Sequence, residues 1–407
     1  MILIDFSSII HRMIHTSVAV VKPEKIDGKY RTADFINMIR YLILQDLFNI
    51  HQLHNHKFGD IIICLDKSDN GYWRKDVHPG YKASRKKGRE ESEINFGEIF
   101  VEVDELITQI KENLPWKVVE VKRAEADDLM LVLAREFNQY EKILIHSPDK
   151  DMIQAQRNTN NVFQYSALTK KWIVPENKHD HMDHWIMEHV VLGDASDEVP
   201  KVVDGTEFSD NFLCFLNENN CSIHCVKTFK ESNFDKSFIS KYNVYKTNKK
   251  GEPTELDVYK DIRFGGSNIQ KILDGTWDLN KRKDKLKEQK EKLKAEGKST
   301  KELKEITDEI KNLEKQDKQP HEFFNDWLDS HPLYRSHYER NFTLVMEEGI
   351  PSNIWNEIII AFKEADSTYN STAFKEYLIK NNLGTILMEV DNIFYKPETI
   401  TVENCGW

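Results

Sequence analysis

Three short, unbroken apolar runs in the first half of this 407-residue chain each deliver an aspartate, and nothing else constrains the fold so tightly. Met1-Ile2-Leu3-Ile4 stops at Asp5, Ile61-Ile62-Ile63-Cys64-Leu65 stops at Asp66, and Ile143-Leu144-Ile145-His146 leads into Ser147-Pro148-Asp149-Lys150-Asp151. Continuous rather than alternating apolar runs are buried on both faces, as in a parallel sheet sandwiched between helices. Residues 116–121 read as a further strand, and the amphipathic stretches 34–49 and 97–114 read as helices. Ala124 to Ala134 reads as a helix with Glu125, Asp127 and Asp128 in its first turn. The expected fold is α/β: a central, mostly parallel sheet flanked by helices, with a helical C-terminal region over about 321–396.

Buried strands have no reason to end in aspartate, because an ionised carboxylate near a core is costly unless a cation or hydrogen bonds compensate it. Each acid alone reads as a helix cap or the start of a turn. Nine of them, Asp5, Asp66, Glu125, Asp127, Asp128, Asp149, Asp151, Asp194 and Asp197, fall at strand ends or helix heads. Ligands of open α/β sheets bind outside the carboxyl ends of the strands. Carboxylates gathered there repel unless divalent cations neutralise them. Glu125 and Asp128 share one helix face, whereas Asp127 lies about 200° round from Glu125. An all-oxygen donor set selects hard ions, Mg²⁺ or Mn²⁺, over zinc.

A net charge of −11 argues against a nucleic-acid partner, but its distribution overrules the total. Between Arg74 and Arg89 seven basic residues face one acid, with Tyr72, Trp73 and Tyr81 interleaved. Such a segment offers cations to phosphates and flat faces to unpaired bases. Its place after the Asp66 strand sets it over the acidic cleft. No apolar stretch reaches the length of a membrane span, and the chain enters its first strand without a basic leader. With an odd set of cysteines (Cys64, Cys214, Cys221, Cys225 and Cys405), this leads to the expectation of a cytoplasmic protein with reduced thiols and no membrane partner.

The expected division is a catalytic domain over 1–200, including the basic segment 67–96, followed by a helical domain over 201–407. The second half carries two insertions. Residues 206–260 show weak periodicity, and 281–318 read as a charged antiparallel helical hairpin with Leu286, Leu293, Leu303, Ile306, Ile310 and Leu313 along its seam. Between them Gly265-Gly266 opens a helix towards Lys271, a natural phosphate cradle. Gly297-Lys298-Ser299 lacks the preceding strand and glycine of a nucleotide-binding loop. The clusters His179, His181, His184, His189 and Cys214, Cys221, His224, Cys225 lack zinc spacing.

The ordered set Asp5, Asp66, Glu125-Ala126-Asp127-Asp128, Asp149-Lys150-Asp151 and Gly193-Asp194-Ala195-Ser196-Asp197 resembles the flap endonuclease and 5'-3' exonuclease superfamily, and within it the phage ribonuclease H group. Cys64-Leu65-Asp66, Gly71-Tyr72-Trp73-Arg74-Lys75-Asp76 and Arg89-Glu90-Glu91-Ser92 carry the same likeness. The resemblance implies a PIN-like 5' nuclease core with two Mg²⁺ ions, for which Mn²⁺ can substitute. Asp5, Asp66, Glu125, Asp127, Asp128 and Asp149 would hold the first ion, and Asp151, Asp194 and Asp197 the second. Lys82 and Arg85 would stand by the scissile phosphate together with Asp66 and Asp149, in an arch that includes Tyr81. Arg74, Lys75, Lys86, Lys87, Gly265, Gly266 and Lys271 would contact nucleic acid. The implied activity is Mg²⁺-dependent removal of RNA primers and adjacent DNA at 5' ends or flaps during replication. The implied partners are duplex DNA, RNA–DNA hybrid, a single-strand binding protein and a sliding clamp, for a monomer acting in the cytoplasm of a phage's bacterial host. The family's compact glycine turn after the last aspartate is replaced here by Pro200-Lys201-Val202-Val203-Asp204. The competing readings are a PIN-like single-strand ribonuclease and a fork-DNA-binding protein without catalysis.

Overall fold

The computed structural model describes residues 1–174, 189–202, 276–295, 303–308, 332–367 and 369–393. The chain divides into two compact units, Met1–Lys178 with Thr343–Trp407, and His179–Phe342.

The first unit is built on a six-stranded sheet in the order β5-β4-β1-β6-β7-β8. The strands are β1 (Ile2–Asp5), β4 (Ile61–Leu65), β5 (Lys117–Glu120), β6 (Ile143–His146), β7 (Val162–Ser166) and β8 (Lys171–Ile173). All neighbours are parallel except β7 and β8. Register aligns the carboxyl ends: Asp5 pairs with Cys64 and Ile4 with His146. Because side chains alternate across a strand, Ile2 and Ile4 of β1 and Ile61, Ile63 and Leu65 of β4 enter one core layer. Met1, Leu3, Ile62 and Cys64 enter the other.

Helices α1 (Phe6–Val21), α2 (Ile36–Phe58) and α5 (Phe96–Asn113) cover the first face, and α6 (Ala126–Phe137) covers the second. Two short helices, α3 (Arg74–Val77) and α4 (Ser84–Glu91), follow β4 in the basic segment. A small hairpin, β2 (Lys25–Ile26) and β3 (Lys29–Tyr30), joins α1 to α2. The expected strands and helices form within a few residues of their predicted bounds, except that α2 runs nine residues beyond its predicted end, whereas β7, β8 and the hairpin had no counterpart in the sequence reading.

The expected domain boundary at residue 200 differs from the packing. After α7 (Thr276–Ala295) and α8 (Pro332–Val345), the chain returns to the first unit as α9 (Ser352–Glu364), α10 (Ser371–Lys380) and α11 (Leu387–Asn392). Ile354 and Ile358 of α9 are buried in the α6 layer, and Phe374, Leu378 and Val390 in the opposite one. Each such side chain contributes about 1.5–3 kcal/mol of burial. Lys117 of edge strand β5 donates to the carbonyls of Phe362 at 3.0 Å and Ala365 at 2.5 Å. These residues therefore complete the core that the N-terminal sheet opens.

In the second unit Gly193 (φ +65) stands where a Cβ would lie 2.4 Å from the Val199 carbonyl oxygen, so only glycine fits. Asp194 bridges to Val199, and its Oδ1 accepts from the Ser196 N–H at 2.7 Å and hydroxyl at 2.6 Å. Asn341 staples the loop from α8, donating to the carbonyls of Val190 at 2.9 Å and Pro200 at 2.7 Å. In the expected charged hairpin, Leu286 of α7 and Ile306 of the helical segment 303–308 are buried together with Leu293 against them. Leu303 lies in that same segment, while Ile310 and Leu313 fall outside the described residues, as do 206–260. Among the described residues no helix is long and apolar enough to cross a membrane.

Candidate active site

The carboxyl ends of β1, β4 and β6 and the N-terminus of α6 open onto one cleft of about 1220 Å³, lined by Asp5, Asp66, Glu125, Asp127 and Asp149. Asp5 ends β1 and caps α1. Its Oδ1 accepts from the Ser8 N–H at 2.9 Å and its Oδ2 from the Ser147 hydroxyl at 3.0 Å. Asp66, one residue beyond β4, accepts from the Ala126 N–H at 2.7 Å and the Ser7 hydroxyl at 2.5 Å. Asp149 accepts from the Asp151 N–H at 2.8 Å, while its own N–H donates to Ser147 Oγ at 3.2 Å. Gln164 on β7 anchors this loop by donating to the Ser147 carbonyl at 3.1 Å. Four separate stretches of chain thus hold the acids against one another.

Burial pushes the Asp5 carboxyl up to about 6, and the charges of Asp66 and Asp149 add to it against the hydrogen bonds from Ser8 and Ser147. Asp127, partly accessible at the cleft, is held well above the usual carboxylate range by burial and then by the charges of Asp149 and Asp5. Ionisation opposed by neighbouring carboxylates is what a bound cation relieves. With oxygen donors only, Asp5, Asp66, Asp127 and Asp149 fit a hard divalent ion.

Glu125 and Asp128 have a different environment. They form a reciprocal capping box at the start of α6. Glu125 Oε2 accepts from Arg74 Nη1 and from the Tyr81 hydroxyl, both at 2.8 Å, and Oε1 is ion-paired with Lys82. Burial raises its carboxyl, but Lys82 and Arg74 outweigh this and hold it below the usual range. Asp128 is fully buried, and its Oδ2 accepts from Trp73 Nε1 at 3.0 Å, Arg74 Nη1 at 3.0 Å and the Glu125 N–H at 2.9 Å. Its Oδ1 meets Arg74 Nη2 at 2.7 Å. The expectation that Asp128 is a metal ligand is therefore corrected: it is the counter-ion of Arg74, outside the cleft lining.

The same cluster corrects three of the expected nucleic-acid contacts. Arg74, Trp73 and Tyr81 are all buried, and Arg74 also donates to the Leu344 carbonyl at 2.8 Å. They anchor the root of the basic segment instead of presenting it. Lys75, Lys82, Arg85 and Lys86 line the cleft as placed from sequence, Lys82 being buried there, whereas Lys87 is exposed on α4 outside the lining. Asp151 sits in the turn after Asp149, also outside the lining. Asp194 and Asp197 belong to the second unit, and Gly265, Gly266 and Lys271 lie outside the described residues.

Sequence reasoning passed over Ser7, Ser147, His11 and Lys29. The serines sit beside the aspartates in Asp5-Phe6-Ser7-Ser8 and Ser147-Pro148-Asp149, which is the available signal for their positioning role. His11, in the second turn of α1, joins Phe96 and Phe100 on an apolar wall of the cleft. Lys29 reaches the lining from a hairpin whose Asp27-Gly28 turn is itself a strong two-residue hairpin signal.

Residues 1–184 match the family described as 5'-3' exonuclease, N-terminal resolvase-like domain. The chain is 33% identical to ribonuclease H of enterobacteria phage T4 over 211 residues, 51% of this chain and 64% of that protein. It is 26% identical to a 5'-3' exonuclease of Mycoplasmopsis pulmonis over 217 residues, 52% of this chain and 65% of that protein. It thus spans a little under two thirds of the length of these curated relatives. A solved structure of T5 5'-exonuclease with bound zinc aligns with 90% of this chain and 98% of its own at 12% identity and a TM-score of 0.45, too loose a likeness to argue from. Over its first 184 residues, where an α/β sheet gathers carboxylates at its strand ends, the chain is similar to the N-terminal resolvase-like domain of 5'-3' exonucleases.

Proposed function

We propose that the protein is a divalent-cation-dependent, structure-specific 5' nuclease that removes RNA primers and adjacent DNA during replication. The observation that carries the reading is the acidic floor of Asp5, Asp66, Asp127 and Asp149 facing the basic side chains of α4 across one cleft. Water adds to phosphorus as the bond to the 3' oxygen breaks, leaving a 5'-phosphate and a 3'-hydroxyl. Two Mg²⁺ ions, or Mn²⁺, held by the acidic floor would supply the Lewis acidity that activates water and offsets charge on the leaving oxygen. The serine hydroxyls and backbone N–H groups fix the carboxylates in advance. Arg85, Lys86, Lys75 and Lys29 draw the phosphates into the cleft and offset their charge. Lys82, in its ion pair with Glu125, adds a cation to the cleft lining. The substrates are duplex DNA and RNA–DNA hybrid with 5' ends or flaps.

The test incubates the protein with a 5'-labelled flap, a nicked RNA–DNA hybrid and single-stranded RNA, with Mg²⁺ or with EDTA. Cleavage of the first two with Mg²⁺ alone is expected. Cleavage confined to single-stranded RNA would replace the reading with a ribonuclease, and tight binding without cleavage would replace it with a fork-DNA binder.

A further inference from the structure

Helix α4 carries the cations that face the acidic floor, yet none of its residues is buried. It spans Ser84–Glu91 with Gly88 near its middle. A helix so short is marginal in water, and an interior glycine weakens it further. Its own i,i+4 pairs, Lys86–Glu90 at 4.0 Å and Lys87–Glu91 at 3.6 Å, are exposed and weak. Contacts at its two ends help to place α4. The N-terminal end is rooted by Tyr81 and Lys82 on Glu125.

The C-terminal end is held by the β2–β3 hairpin. The Tyr30 N–H donates to the Glu93 carbonyl at 2.8 Å, Lys25 Nζ pairs with Glu93 Oε1 at 2.6 Å, and Lys29 Nζ reaches the Glu90 carbonyl in the last helical turn at 3.4 Å. That last contact puts a cation at the negative end of the helix. The hairpin is itself fixed. Asp27 (φ +51) and Gly28 (φ +81) form its tight turn, Lys25 Nζ lies 4.9 Å from the Tyr30 ring centroid, and the Arg31 N–H closes its base on the Glu24 carbonyl at 2.9 Å.

We propose that the β2–β3 hairpin is a clamp that positions α4 over the cleft, with Lys25 and Glu93 as the positioning pair. The inference rests on reading α4 as the basic wall of a nuclease site, but the contact can be tested without substrate. Hydrogen exchange of the α4 amides, read by mass spectrometry on the full chain, reports how often the helix opens. Both side chains are about half exposed (43% and 55%), so neither substitution threatens the fold. Lys25→Glu and Glu93→Lys are each expected to speed α4 exchange by about two- to five-fold, the range for an exposed ion pair. The double exchange, Lys25→Glu with Glu93→Lys, is expected to return it to within about 1.5-fold. Unchanged exchange in the single variants, or faster exchange still in the double variant, overturns the clamp. Failure of the nuclease reading would appear separately, as absence of cleavage by the unaltered protein.

Discussion

Asp5→Asn is expected to stabilise the cation-free protein while abolishing its activity. In the folded chain burial and the charges of Asp66 and Asp149 raise the Asp5 carboxyl from 3.8 to about 6. The folded state therefore binds this proton more tightly than the unfolded state, and stability falls as pH rises from about 4 to about 6. Above that window the ionised group costs about 3 kcal/mol, from roughly two pH units at ~1.4 kcal/mol each. Asparagine removes the charge and still accepts from the Ser8 N–H; its amide can donate to Ser147 Oγ. Urea unfolding in EDTA at pH 8 is thus expected to show a gain approaching 3 kcal/mol, shrinking to nothing by about pH 4, and Mg²⁺ is expected to raise the midpoint of the parent and not of the variant. A variant less stable than the parent by the same amount at pH 8 and pH 4 would refute the reasoning, because the acid would then be a structural cap and nothing more.

Three further outcomes follow from the same geometry. Asp128→Asn leaves the buried Arg74 guanidinium without its counter-ion and is expected to destabilise by about 3–5 kcal/mol in chemical unfolding, with no change in Mg²⁺ affinity per folded molecule by calorimetry. Ser147→Ala removes the hydroxyl that holds Asp5 and receives the Asp149 N–H, so calorimetry is expected to show about 10- to 100-fold weaker Mg²⁺ binding with little change in thermal midpoint. Gly193→Ala places a methyl group against the Val199 and Pro200 carbonyls and is expected to destabilise by roughly 2 kcal/mol or more, read as faster amide exchange over 189–202.

How much was legible in the sequence depended on whether the informative contacts were local. The strands ending at Asp5, Asp66 and before Asp149 stand where their apolar runs put them, because burial on both faces leaves one reading of such a run. Strand β7 escaped notice because Val162–Ser166 buries only alternate residues, and β8 has three residues with Trp172 exposed. The helix face shared by Glu125 and Asp128 was read correctly as a pair, but the two part company: Glu125 lines the cleft and Asp128 lies outside its lining. A cap and a ligand look alike in sequence, and here Asp5 is a cap that also lines the cleft, while Asp128 is a cap with a buried arginine. Arg74, Trp73 and Tyr81 looked like a nucleic-acid surface because their partners, Glu125 and Asp128, lie some 50 residues away. The return of α9 to the first unit depends on contacts across roughly 200 residues, and no local pattern announces it.

That return sets a schedule for biosynthesis. The sheet face formed by Ile62, Cys64 and helix α6 is finished only when Ile354 and Ile358 arrive on it. At ~5–20 residues per second, a ribosome needs about 10–40 s to make the intervening chain. For that interval the nascent protein carries an open apolar face, so chaperone capture during translation, and aggregation of chains cut short after the second unit, become properties of the fold itself.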